Sequence, residues 1–194
     1  MKMQDVNIVI VGVGGQGTLL TSKLLARLAM EENLGVKVSE VHGMAQRGGS
    51  VITHVRIGKD VHAPLVAAGS ADYLLAFEPL EAARAASYLK NDGILIVNSQ
   101  QISPITVLSG AVNYPADPLQ GAVGAAQKLE ELDAFTLAVA AGSHRSVNIV
   151  LLGVLSRHLP FTREDWEHAI AASVPAKTLD INRKAFLAGC NYSA

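Results

Sequence analysis

The stretch Ile8–Ala26, IVIVGVGGQGTLLTSKLLA, decides how the chain is read. Its apolar, β-branched opening, from Val6 to Val11, has the character of a strand buried on both faces of a parallel sheet. Gly12, Gly14, Gly15 and Gly17 crowd the turn that follows. From Gln16 to about Met30, Leu19, Leu20, Leu24, Leu25 and Leu28 recur at helical spacing. Gly12, Gly14 and Gly17 satisfy G-x-G-x-x-G. At that spacing glycines permit a tight turn, close approach of backbone to a phosphate, and close packing of helix on strand. The helix N-terminus behind the turn offers unpaired N–H groups to an anion.

Gly35 separates the helix from a second strand, VKVSEV (36–41), so residues 6–41 read as a βαβ unit. A polar, glycine-bearing loop, HGMAQRGGS (42–50), leads to an alternating strand at 51–58. Further strands are expected at 71–79, 93–99 and, ended by Pro115, around 110–117. Helices are expected over 80–90, stopping at Gly93, and over about 119–132. From Asp133 onward the pattern is helical throughout, with two helices meeting near Gly142. Thr162 with Asp165 resembles a capping box that opens the next helix, and Gly189 closes a last short one. No internal repeat or low-complexity linker interrupts the chain. The expected architecture is α/β: a Rossmann-like open, mostly parallel sheet with helices on both faces and a C-terminal helical layer. Residues 1–194 form a single domain on this reading, α/β over about 1–132 and helical over about 133–194.

Hydrophobic residues make up 49% of the chain and charged residues 17%, and the mean hydropathy is +0.28. That is more apolar surface than a core of this size needs, and it points to a partner subunit; an alanine-rich core is the alternative. With a net charge of −1 and no basic stripe, neither nucleic acid nor an anionic membrane is an expected partner. The lone cysteine, Cys190, excludes a disulfide framework or an all-cysteine metal cluster within the chain and fits a reducing cytoplasm. The apolar start is too short and too broken by glycine for a signal peptide or a membrane span.

Two loops carry the candidate site. The first is the glycine turn, Gly12, Gly14, Gly15, Gln16 and Gly17. A dinucleotide site of that kind also needs an acid near the end of the second strand for the ribose hydroxyls, and Glu40 stands in about that place. The second loop sets Arg47 on a flexible Gly48–Gly49 hinge, with His42 and Gln46 beside it. A guidinium so placed suits bidentate binding of a phosphate or carboxylate. Taken together, GVGGQG and SEVHGMAQRGGSV resemble the gamma-type domain of the 2-oxoacid:ferredoxin oxidoreductases. In its HGMAQRGG form the second loop resembles the branch that serves as beta subunits of indolepyruvate:ferredoxin oxidoreductases. FEPLEA (77–82), Asn148–Gly153 as NxxLLG, and NRKAFLAG (182–189) extend the resemblance over nearly the whole chain.

The resemblance implies one subunit of an enzyme that decarboxylates an aryl 2-oxoacid on thiamine diphosphate and Mg²⁺. Electrons pass through 4Fe-4S clusters to ferredoxin, and the acyl group goes to coenzyme A. On this resemblance the cofactors are expected mainly in a large alpha subunit. The residues agree with that division. NDGILIVN (91–98) is not a thiamine diphosphate motif, and one cysteine cannot ligate a cluster that needs about four. No catalytic residue and no metal ligand is therefore assigned to this chain. A free-standing NAD(P)- or nucleotide-binding protein is the alternative; it needs Glu40 free for a ribose.

The remaining candidates read as structural. No pair among His42, His54, His62, His144, His158 and His168 has helical metal-binding spacing beside a carboxylate set. His54 lies in an alternating strand. Ser143, His144 and Arg145 read as a helix start, Trp166 and Phe186 as packing anchors, and Lys177 as a surface cation. Ser50 and Ser146 lack the surroundings of a nucleophile.

Overall fold

A computed structural model describes residues 5–43 and 49–193. Six strands form one sheet in the order β2-β3-β1-β4-β5-β6. They are β1 (Val6–Val13), β2 (Gly35–His42), β3 (Ser50–Gly58), β4 (Ala71–Ala76), β5 (Leu89–Asn98) and β6 (Lys128–Leu132). The pairings β1–β4, β4–β5 and β5–β6 are parallel, whereas β3 runs antiparallel to both β1 and β2. Because β1 and β2 both oppose β3 they run parallel to each other, so residues 6–41 are a βαβ unit whose two strands are not neighbours. The connection from β2 to β3 is too short to cross the sheet, so the two strands form a hairpin. That hairpin inserts β3 between β1 and β2.

Alternation along the strands feeds two cores. Ile8 and Ile10 of β1 join Val55, Ile57, Leu75 and Ile96 on one face. There α1 (Thr18–Glu31) packs with α5 (Ala134–Ala141), α6 (Val147–Ser156), α7 (Arg163–Ser173) and α8 (Leu179–Cys190). Val9 and Val11 point the other way, to Leu74, Leu95 and Val97. That face is covered by α2 (Pro79–Ala85) and the short α4 (Gln120–Val123). Trp166 and Phe186 are buried in the helical layer with ring centroids 5.5 Å apart, the anchoring role expected of them. The Thr162–Asp165 capping box is present in both directions.

Three expected elements differ. The helix after β4 ends at Ala85 and is followed by a 3₁₀ turn. Leu89 then pairs with Ala71 and draws the chain into β5 well before Gly93. No strand forms at 110–117; a four-residue helix, α3 (Ile105–Leu108), precedes that stretch instead. The last strand is β6, inside the span expected to be helical. Leu129 and Leu132 imitate a helical period there, but Gly121 and Gly124 weaken a helix, and residues 128–132 complete the sheet beside β5. No helix among the described residues is long and apolar enough to cross a membrane.

Candidate functional site

The carboxyl ends of β1, β4 and β5 point to one rim of the sheet, where open α/β folds hold their ligands. Side chains brace this rim. Gln16 Oε1 accepts from the Val13 N–H at 2.7 Å, and its Nε2 donates to the Phe77 carbonyl at 3.1 Å. Asn98 Nδ2 donates to the same carbonyl at 3.2 Å, while its Oδ1 accepts from the Ala134 N–H at 3.0 Å. Gln16 thus ties the glycine turn to the end of β4, and Asn98 ties β5 to the start of α5. Gln16 spends both ends of its amide on backbone groups of the rim.

Gly15 and Gly17 adopt φ of +104° and +91°, a region that L side chains rarely enter. A Cβ at Gly15 would meet nothing within 4 Å, so the turn faces open space. Gly17 is the N-cap of α1 with no side-chain cap, which leaves the first amides of the helix to solvent or to a ligand. The turn opens on a cavity of about 430 Å³. Gly15, Gln16, Gly17 and Leu20 form one wall, and Gln100, Ile102 and Phe135 form another. His144, Arg145 and Asn148 close it.

Nothing in the sequence places those last three residues at a cavity. Ser143 does cap the turn, accepting from the Arg145 N–H at 3.2 Å, as the sequence suggests. The same turn nevertheless delivers the His144 and Arg145 side chains to the cavity. His144 stands 6.4 Å from the Phe135 ring. Asn148 is 3% exposed, its Nδ2 is buried without a partner, and its amide lies 3.3 Å from where a Gly17 Cβ would be. Only the NxxLLG pattern signalled it, and that pattern said nothing of where the amide points.

Gly12 lies in β1, and Gly14 donates its N–H to the Gly49 carbonyl at 2.9 Å. The second loop therefore returns to the glycine turn. Gln46, Arg47 and Gly48 lie outside the described residues. His42 is at the end of β2, with Nε2 2.5 Å from Glu40 Oε1. Glu40 Oε2 accepts from Thr53 Oγ1 at 3.0 Å. Glu40 also sits on a strand separated from β1 by β3, roughly 9–10 Å across the sheet. A ribose clamp of the dinucleotide type has its acid on the strand beside β1. Glu40 is neither there nor free of partners, which removes the basis of the NAD(P) alternative.

His54 is buried on the opposite face, where its ring packs edge-on against Tyr88 and burial lowers its pKa. Among the described residues no group of three His, Cys, Asp or Glu side chains is arranged to hold a metal.

A mostly parallel sheet widened by the β2–β3 hairpin thus carries an open glycine turn at its carboxyl rim. The chain belongs to the pyruvate ferredoxin/flavodoxin oxidoreductase family, whose model matches residues 7–192. It is 43% identical over 192 residues to the indolepyruvate oxidoreductase subunit IorB of Thermococcus kodakarensis, covering 96% of this chain and 95% of that one. The keto/oxoacid ferredoxin oxidoreductase gamma subunit of Geobacter sulfurreducens shares the fold with a TM-score of 0.71 and 25% identity over 95% of both chains. A 2-oxoglutarate:ferredoxin oxidoreductase of Magnetococcus marinus, solved with 2-oxoglutarate, coenzyme A and succinyl-CoA bound, matches 97% of this chain with 31% of its own. Its TM-score is 0.73 at 18% identity, a likeness of fold.

Proposed function

We propose that this chain is the subunit without resident cofactors of an indolepyruvate:ferredoxin oxidoreductase. With a large alpha subunit carrying thiamine diphosphate, Mg²⁺ and 4Fe-4S clusters, it serves conversion of indolepyruvate and related arylpyruvates. The products are the aryl-acetyl-CoA, CO₂ and reduced ferredoxin. The observation that carries this reading is the full-length likeness to IorB subunits in a chain with a single cysteine. That lone thiol also fits work in a reducing cytoplasm.

Within that enzyme the carboxyl-rim cavity takes an anionic group, a phosphate of coenzyme A. Unpaired amides at the start of α1, the open space at Gly15, and the His144 and Arg145 side chains support an anion there. Arg47 belongs to the loop whose end, Gly49, is bonded to Gly14, and it supplies further charge. Arg47→Ala should lose charge-assisted hydrogen bonds worth roughly 1.5–3 kcal/mol each. Apparent coenzyme A affinity of the assembled enzyme should then weaken about ten- to a hundred-fold, with the fold intact. Steady-state kinetics at varied coenzyme A, beside gel filtration of the complex, measures both effects. Failure to assemble, with normal coenzyme A dependence in whatever complex forms, would make Arg47 a contact to the alpha subunit. Unchanged kinetics and unchanged assembly would return it to the solvated surface.

A further inference from the structure

Between Asp92 and Asp117 the chain contains no charged residue. The middle of this stretch, residues 104–112, folds into a knob on the carboxyl rim. Its backbone is satisfied internally. The Leu108 N–H donates to the Pro104 carbonyl at 3.0 Å, and the Ala111 and Val112 N–H groups donate to the Thr106 carbonyl at 3.0 and 3.3 Å. The helix at its centre, α3, has no buried residue. Ile105, Leu108 and Val112 are 76%, 71% and 54% exposed. A short element that directs its large apolar side chains away from its own core gains nothing from them in isolation.

The knob is nonetheless held in place. Glu78, 1% exposed, caps α2 by accepting from the Glu81 N–H at 3.0 Å. Its other oxygen accepts from the Ile102 N–H at 3.3 Å and from the Tyr114 hydroxyl. One buried carboxylate thus grips both feet of the knob. Burial and this carboxylate together push the Tyr114 phenol above its ordinary pKa, which keeps it a donor. The result is a preorganised apolar projection, so little ordering entropy remains to be lost on docking.

We infer that the Ile105–Val112 knob is the docking element for the cofactor-bearing large subunit. This rests on the reading of the chain as one subunit of such an enzyme. Three features select that occupant. Ile102, at the foot of the knob, also lines the glycine-turn cavity, so whatever covers the knob borders the cavity. The chain that must border it is the one supplying the redox chemistry this chain lacks. Depletion of charge with exposed aliphatic side chains is the composition of a stable interface core, whereas electron-carrier encounters are small and electrostatically steered. A membrane-lying surface would add a basic face, and this stretch has none.

The test is co-expression of the chain with the large subunit, followed by gel filtration and a titration of the complex. Ile105→Asp/Leu108→Asp should weaken association at least a hundred-fold. Thermal unfolding of the isolated variant should match the unsubstituted chain, because neither side chain packs in a core. Met30→Asp, at a residue 66% exposed in the last turn of α1, should leave the complex intact. A double variant that assembles with unchanged affinity overturns the inference while leaving the subunit reading standing. An isolated chain that elutes as a dimer, and a double variant that elutes as a monomer, would give the knob to a second copy and equally overturn it. If the unsubstituted chain forms no complex, the subunit reading itself falls, and this inference with it.

Discussion

Gly189→Ala should lower the melting temperature by roughly 6–12 °C, the consequence of about 3 kcal/mol lost in a chain of this size. The reason is the crossing of α6 and α8. A Cβ at Gly189 would lie 2.0 Å from the Val150 carbonyl oxygen, and one at Gly153 would lie 2.2 Å from that of Phe186. Both obstacles are backbone atoms, so no side chain can turn aside and the helices must separate. Separation disturbs Trp166, Phe186 and the apolar run Ile149–Leu155, which form much of the larger core. Gly153→Ala should behave alike. Gly121→Ala, in the short α4 with nothing within 4 Å of the new Cβ, should be neutral or slightly stabilising. Thermal melts of the three variants provide the comparison. A Gly189→Ala protein as stable as the parent would mean that α6 and α8 do not cross at these glycines.

The second large effect is expected at Glu130. This carboxylate, 1% exposed on β6, receives Lys128 Nζ at 2.6 Å, His158 Nε2 at 2.8 Å and the Arg157 guanidinium. Removing one member of a buried ion pair leaves the other uncompensated. Lys128 and Arg157 are partly exposed and can turn to water, so Glu130→Ala should cost about 2–3 kcal/mol rather than the full cost of a buried pair. Burial alone would raise the Glu130 carboxyl, but Lys128, Arg157 and His158 outweigh it and hold the group below its ordinary 4.5. A carboxylate depressed in the folded state adds stability that is complete above the unfolded value. It is lost as pH falls through the folded one. The gap in urea-unfolding free energy between parent and Glu130→Ala should therefore be widest near neutrality and narrow below pH 4.5. A gap that stays constant into acid would contradict the pairing.

The elements legible in the sequence are those where local chemistry and tertiary structure agree. The β-branched strand, the glycine turn and the Leu19–Leu28 period all specify the same local structure, and the Thr162–Asp165 cap forms as expected. The elements that differ from their local pattern have a common origin in long-range pairing. Nothing local tells that β3 inserts between β1 and β2, because the hairpin is chosen by loop length and neighbours rather than by strand composition. Lys128–Leu132 has a helical spacing of leucines and becomes a strand because β5 offers it an edge. Gly189 resembles a helix stop. It lies inside α8, which continues to Cys190, and its lack of a side chain serves the contact with Val150.

The candidate site divides in the same way. The glycine turn was legible because its spacing is a local requirement of backbone geometry. Gln16, a candidate for ligand contact, braces the turn against Phe77 while also lining the cavity. In the sequence Arg145 and His144 read as residues of a helix start. Their arrival at the cavity depends on how α5 and α6 pack, which no spacing in the sequence encodes. Asn148 adjoins Gly17 only because α6 approaches α1 across the same core.

On the proposed function, this chain contributes a site and an interface but no resident redox chemistry. The most direct measurement is indolepyruvate-dependent reduction of ferredoxin, with coenzyme A and thiamine diphosphate supplied. It should be made on the purified chain, on the purified large subunit, and on the two expressed together. No turnover and no iron–sulfur absorption are expected from the chain alone. Coenzyme A-dependent turnover is expected only when the two chains elute as one complex. Ferredoxin reduction by this polypeptide alone, or full coenzyme A-dependent turnover by the large subunit without it, would contradict this division of labour.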